Sequence, residues 1–267
     1  VTHSVRWQEV RRVSLVVALA MGLVGCTGTI ESVKTFYSEG REAQQNYVAG
    51  KTLYDAGDYV GAIPHFQRTL ALDPKYDDAK VYLAWTYYHL NNYPEATRLF
   101  REVVARQPRW EGAWNGLGWS RYRAGQYNLA IEPFQEAVGL DPRYRDATVG
   151  LAYALFELGR YSEALPHLAR LTREGEGFVF QSPTGDVEEV RSRYAWCLYY
   201  VGQYEKARVE FVRGLRAHPE WAGLHSGLGW TYLKLGDLAQ ARASFQRALQ
   251  LQPDYPDARA GLAEASR

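Results

Sequence analysis

Apolar and polar positions repeat along this chain with a long period. Gly57-Asp58-Tyr59, Asn91-Asn92-Tyr93, Gly125-Gln126-Tyr127 and Gly159-Arg160-Tyr161 stand 34 residues apart, and the period resumes at Gly202-Gln203-Tyr204 and Gly236-Asp237-Leu238. Three residues after the last residue of each turn comes an alanine: Ala62, Ala96, Ala130, Ala164, Ala207 and Ala241. Four further on stands a large apolar side chain: Phe66, Phe100, Phe134, Leu168, Phe211 and Phe245. Five units close with a proline: Pro74, Pro108, Pro142, Pro219 and Pro253. Within the third unit, Trp114, Leu117, Gly118 and Tyr122 predict a helix broken at Gly125, and Ala130, Phe134 and Ala137 a second, stopped by Asp141-Pro142. Each unit is therefore a helical hairpin whose small residues let two backbones approach. One hairpin cannot cover its own apolar face, so neighbours must stack.

Trp114-x-x-Leu117-Gly118, Ala130-x-x-x-Phe134 and Pro142 resemble the tetratricopeptide-repeat signature, a likeness that six units share in register. The resemblance implies an all-α fold: a right-handed α-solenoid of six hairpins plus a C-terminal capping helix, with first helices lining a concave groove and second helices forming the outer wall. Units 1–4 are expected over residues 43–173, units 5–6 over 187–255 and the cap over 256–267. The fourth unit lacks its closing proline, which leaves residues 174–186 as an inserted loop carrying Phe178-Val179-Phe180. That loop is either a spacer folded back on the solenoid or a contact for a partner. Asp186 and Glu189 have capping-box spacing for the helix that follows. Pro64, Pro133 and Pro166 are expected near the starts of second helices.

When each unit is numbered from fourteen residues before its turn glycine, positions 4, 7, 8 and 11 share the core face, and 2, 5, 9, 12 and 13 lie opposite. Position 9 holds Lys51, Trp85, Trp119, Tyr153, Trp196 and Trp230; position 12 holds Tyr54, Tyr88, Tyr122, Phe156, Tyr199 and Leu233. Ten of these are aromatic and form the candidate ligand groove. Rings at such spacing stack on sugars or grip proline-rich and extended peptides. The competing reading packs them between adjacent first helices. Charges near them, Lys51, Asp78, His89, Arg123, Glu157, Glu189, Arg193 and Lys234, are of mixed sign and make no cationic clamp for a terminal carboxylate.

Composition narrows the function classes. With 46% hydrophobic and 14% aromatic residues the chain folds, and 31 cations against 30 anions without a like-charge run argue against nucleic acid. The six histidines have no metal-ligand spacing, no phosphate loop occurs, and Cys197 sits at a small-residue position as packing. No metal, cofactor or catalytic residue is expected, so the reading is not an enzyme.

The N-terminus adds an address. Arg6, Arg11 and Arg12 precede an apolar run from Val13 to Val24 that is too short to span a bilayer, the layout of a secretory signal peptide over residues 1–25. Leu23-Val24-Gly25-Cys26 resembles a bacterial lipobox. That resemblance implies lipidation of Cys26, a tether over 26–42 and attachment facing the periplasm; Thr27 after the cysteine points to the outer membrane. The bland alternative is an ordinary signal peptide, or a helix with an incidental cysteine. The expected function is a membrane-anchored scaffold that holds protein partners in a bacterial envelope assembly or export system. The alternative is a polysaccharide-binding module using the aromatic groove, and a third possibility is a structural spacer.

Overall fold

The computed structural model describes residues 27–173, 179–181 and 187–267. Residues 1–25, Cys26, Phe178 and Asp186, all named above, lie outside the described residues. Units 1–4 comprise α1 (Thr27–Asp55) with α2 (Tyr59–Leu72), α3 (Asp77–His89) with α4 (Tyr93–Arg106), α5 (Glu111–Arg123) with α6 (Tyr127–Leu140), and α7 (Arg145–Glu157) with α8 (Tyr161–Arg173). After β1 (Val179–Gln181) and β2 (Val187–Glu189) come α9 (Val190–Tyr200) with α10 (Tyr204–Ala217), α11 (Ala222–Leu235) with α12 (Leu238–Leu251), and the single helix α13 (Pro256–Ala265).

Every hairpin turns on a left-handed residue. Gly57, Gly125, Gly159, Gly202 and Gly236 have φ between 71° and 82°, and Asn91 fills the same place at φ 59°. Asparagine is among the few side chains that tolerate this conformation, which explains its one appearance in the glycine column. The backbone N–H after each turn residue reaches back five residues to close the first helix, as Gln126 does to Arg121 O at 2.9 Å.

Stacking is carried by the position-24 aromatic. Phe134, fully buried, lies against Gly118 of its own first helix and Gly150 of the next unit, where an added Cβ would come within 2.5 and 2.3 Å of the ring. Phe100 with Gly116, Phe211 with Gly227 and Phe245 with Gly261 repeat the inter-unit half of that arrangement. Successive first helices contact one another along the whole stack, more extensively than second helices do, so the stack curves toward the first helices.

Three regions differ from the sequence expectation. Residues 27–42, read as a tether, are helical and continue without a break into the first hairpin. In the insertion, Val179, Phe180 and Gln181 pair antiparallel with Glu189, Glu188 and Val187, so a short ribbon takes up the first residues assigned to unit 5. The helix consequently starts at Val190, and Glu189 is ribbon rather than part of a capping box. Pro64, Pro133 and Pro166 lie inside their helices rather than at the starts. At Pro133 the carbonyl left without its usual N–H, Leu129 O, accepts from Arg121 Nη1 at 2.7 Å.

Candidate functional site

The concave face is built by positions 9, 12 and 13 of the first helices, and two kinds of contact hold its rings. Each position-9 tryptophan meets the position-24 phenylalanine of its own unit edge-on. Trp85 with Phe100, Trp119 with Phe134, Trp196 with Phe211 and Trp230 with Phe245 all have centroids 5.2–5.4 Å apart and planes crossing at 75–83°. Each position-12 ring packs against the aromatic after its own turn: Tyr54 on Tyr59, Tyr88 on Tyr93, Tyr122 on Tyr127, Phe156 on Tyr161 and Tyr199 on Tyr204.

Position 12 also reaches position 13 of the following unit. Tyr54 Oη lies 3.1 Å from His89 Nε2, and Tyr122 donates to Glu157 Oε1 at 3.4 Å. His89 in turn stacks on Tyr59 with 4.4 Å between centroids and 6° between planes, and burial lowers its pKa. Tyr200 stacks on Tyr161 the same way, at 4.3 Å and 15°.

These contacts divide the ten candidate groove aromatics. Trp119, Tyr88 and Tyr153 are buried, at 1, 0 and 0% exposure, and are corrected from groove-lining residues to packing residues. The 100° projection put position 9 opposite the core, but each first helix is flanked by its own second helix and by two neighbouring first helices, so little of its circumference is left to solvent. Trp85, Trp196, Trp230, Tyr54, Tyr122, Phe156 and Tyr199 are half-buried and keep part of a ring on the concave face.

Local partners decide which tryptophan is closed off. Asp146, from the start of the next unit, accepts from Asn115 Nδ2 at 2.5 Å; burial raises its pKa, and hydrogen bonds from Asn115 and the Trp119 indole pull it back. Tyr153 is covered differently. The Arg193 guanidinium lies 4.0 Å from its ring centroid and 5.4 Å from that of Phe156, while donating to Glu157 Oε1 at 3.3 Å.

Tyr200 is the concave-face residue that the sequence reading passed over. It is 51% exposed, and Tyr161, Trp196, Tyr199 and Phe156 surround it. The signal was present: its column otherwise holds Asp55, His89, Arg123, Glu157 and Lys234, so a phenol ring there is out of pattern. Cys197 is buried, and desolvation pushes its thiol up to about 12, so it stays protonated and unreactive at neutral pH. Among the described residues no group of three His, Cys, Asp or Glu is placed to hold a metal ion, and no helix is long and apolar enough to cross a membrane.

Family models described as tetratricopeptide repeat match residues 53–118, 115–177 and 222–255, together more than half of the chain. No curated protein matches it. Among solved structures, Pseudomonas aeruginosa pilF is similar at 18% identity and a TM-score of 0.66, over 85% of this chain and 99% of that one. YrrB, described as a TPR protein with an unusual peptide-binding site, is similar at 20% identity and 0.64, over 73% and 96%. MamA from Desulfovibrio magneticus RS-1 gives 17% identity and 0.60, over 67% and 97%. At these identities the likeness establishes the fold.

Proposed function

Because this chain belongs to the tetratricopeptide-repeat family, we propose that it is a non-catalytic scaffold that holds an extended segment of a protein partner along its concave face. The observation that carries this reading is the division of the aromatic columns. Most rings tie one unit to the next, yet Trp85, Trp196 and Trp230 remain half-exposed along a face made of first helices. The peptide-binding site described for YrrB, on a similar fold, supports it. A polysaccharide reading drew on an unbroken ladder of exposed rings; with Trp119 and Tyr153 buried, the peptide reading has the better basis.

A photo-crosslinking residue in place of Trp196 is expected to capture a discrete partner band in the native cell, and one in place of Val60 on the outer wall is not. Equal capture at both places, or none at Trp196, overturns the scaffold reading.

We further propose that Cys26 is lipidated and that the solenoid faces the periplasm of a bacterial envelope from the outer membrane, within an assembly or export system. The lipobox-like Leu23-Val24-Gly25-Cys26 supports this. Cells fed radiolabelled palmitate should label the protein and lose that label on Cys26→Ala. A protein that is never labelled, or a label that survives the substitution, rejects the anchor and leaves the groove reading intact.

A further inference from the structure

The Asn115–Trp119–Asp146 arrangement has a second copy at the C-terminal end of the stack, and the two copies differ in one respect. Ser226, Trp230 and Asp257 occupy the same places in unit 6 and the cap. Ser226 Oγ donates to Asp257 Oδ2 at 2.6 Å, as Asn115 does to Asp146. In the inner copy the tryptophan is buried and its indole N–H is drawn to the aspartate. In the outer copy the Trp230 ring is half-buried and Asp257 is exposed. The same polar unit is closed in one place and open in the other.

Around the open copy the concave face is aromatic and rimmed with carboxylate. Trp196, Tyr199 and Tyr200 stand one unit before it. Glu264 of α13, exposed, takes the place in the position-9 column that tryptophan fills in units 5 and 6. Burial first, and then the neighbouring Tyr204 and Tyr200, push the Tyr199 hydroxyl up to about 12, and Glu264 and Asp257 add in the same direction. Among the described residues neither Asp257 nor Glu264 forms an ion pair, and Lys234, the cation of unit 6 on this face, is exposed and bonded to neither.

We propose that this C-terminal end of the concave face binds an arginine- or lysine-bearing segment of an extended polypeptide, with the cation between the Trp196, Tyr199, Tyr200 and Trp230 rings and the Asp257 and Glu264 carboxylates. Ring faces attract cations through their quadrupoles, and a partly desolvated carboxylate adds Coulomb attraction that an acidic or neutral segment cannot gain. The planar guanidinium suits the site better than an ammonium, since it stacks on a ring while donating in plane. The proposal rests on the scaffold reading above and names the chemistry of the partner segment.

The test uses the full chain and three fluorescent Ser-Pro decapeptides that carry two arginines, two glutamates or two glutamines at the same positions. The arginine peptide is expected to bind about tenfold more tightly than the glutamine one, about 1.4 kcal/mol, and the glutamate peptide more weakly still. Glu264→Lys, an exposed change that leaves the stack intact, should reverse the order of the charged peptides; Trp196→Leu should weaken all three. Equal affinities, or an order unmoved by Glu264→Lys, overturn the cation site, while a remaining dependence on Trp196 keeps the groove. Failure of all three peptides to bind overturns the cation site, and crosslinking at Trp196 then decides separately whether the groove holds a partner.

Discussion

Alanine in place of Phe134 should cost about 3–5 kcal/mol of stability, the range seen when a buried aromatic is emptied from a core that cannot collapse around the gap. Phe134 is fully buried between Gly118 and Gly150, and Trp119 meets it edge-on at 5.4 Å. Neither glycine can fill the hole, because neither has a side chain to move into it. The ring sits both inside its own hairpin and on the joint with the next. In a solenoid, stability is roughly the sum of unit terms and nearest-neighbour terms, so this one ring contributes to both and distant units cannot compensate. Urea titration followed by tryptophan fluorescence measures the effect, with Leu129→Ala as the control. Leu129 is 53% exposed on the outer wall, and its truncation should change stability by no more than about 0.5 kcal/mol. A Phe134→Ala loss below about 1 kcal/mol would show that the joint does not depend on the ring.

The glycine partners of that ring show where sequence reading reached and where it stopped. Columns that act within one hairpin were legible: the left-handed turn residue, the alanine that lets helices approach, the buried position-24 ring. Each imposes its requirement at a fixed place in every unit. Position 6, which holds Tyr82, Gly116, Gly150, Arg193, Gly227 and Gly261, was not read. It answers to the ring of the preceding unit, so its meaning is lost when units are considered singly. Where position 24 is the smaller Leu168, position 6 is the large Arg193, which then covers Tyr153. Where position 6 is Tyr82, its ring lies nearly parallel to Phe66, at 20°. Helical projection likewise ranked all position-9 rings together, although Trp119 is buried and Trp230 half-buried. Burial on the concave face is set between units, and periodicity within a unit carries no information about it.

The junction between units 4 and 5 should be the most sensitive to loss of a single charge. Position-4 side chains of unit 3 and of the cap hold the loop before them: Trp114 Nε1 donates to Pro108 O at 2.9 Å, and Arg259 Nη2 to Pro253 O at 2.8 Å. Unit 5 follows an insertion with no closing proline, and its position-4 residue, Arg191, turns elsewhere. Arg191 Nη1 meets Glu210 Oε2 at 2.6 Å, and Nη2 reaches the carbonyl of Thr172, near the end of α8, at 3.4 Å. Both side chains are nearly buried, and Arg213 adds a second contact to Glu210 at 2.8 Å. One guanidinium therefore ties α8, α9 and α10 together across the inserted residues. Glu210→Ala leaves that guanidinium buried without its anion, and the expected cost is about 3–5 kcal/mol. Replacing both partners, as Arg191→Met with Glu210→Leu, removes both desolvation penalties and should recover most of that loss. Hydrogen exchange gives the sharper readout, because one continuous core runs through units 1–4 and takes in only Val190 and Cys197 of α9, while the rest of unit 5 with Leu224 and Leu228, and the last unit with its cap, bury two further clusters. In Glu210→Ala, amides of α9–α13 should lose protection while those of α3–α6 keep theirs. Uniform loss along the chain, or a double variant no more stable than the single one, would show that the pair is not what joins the two halves of the stack.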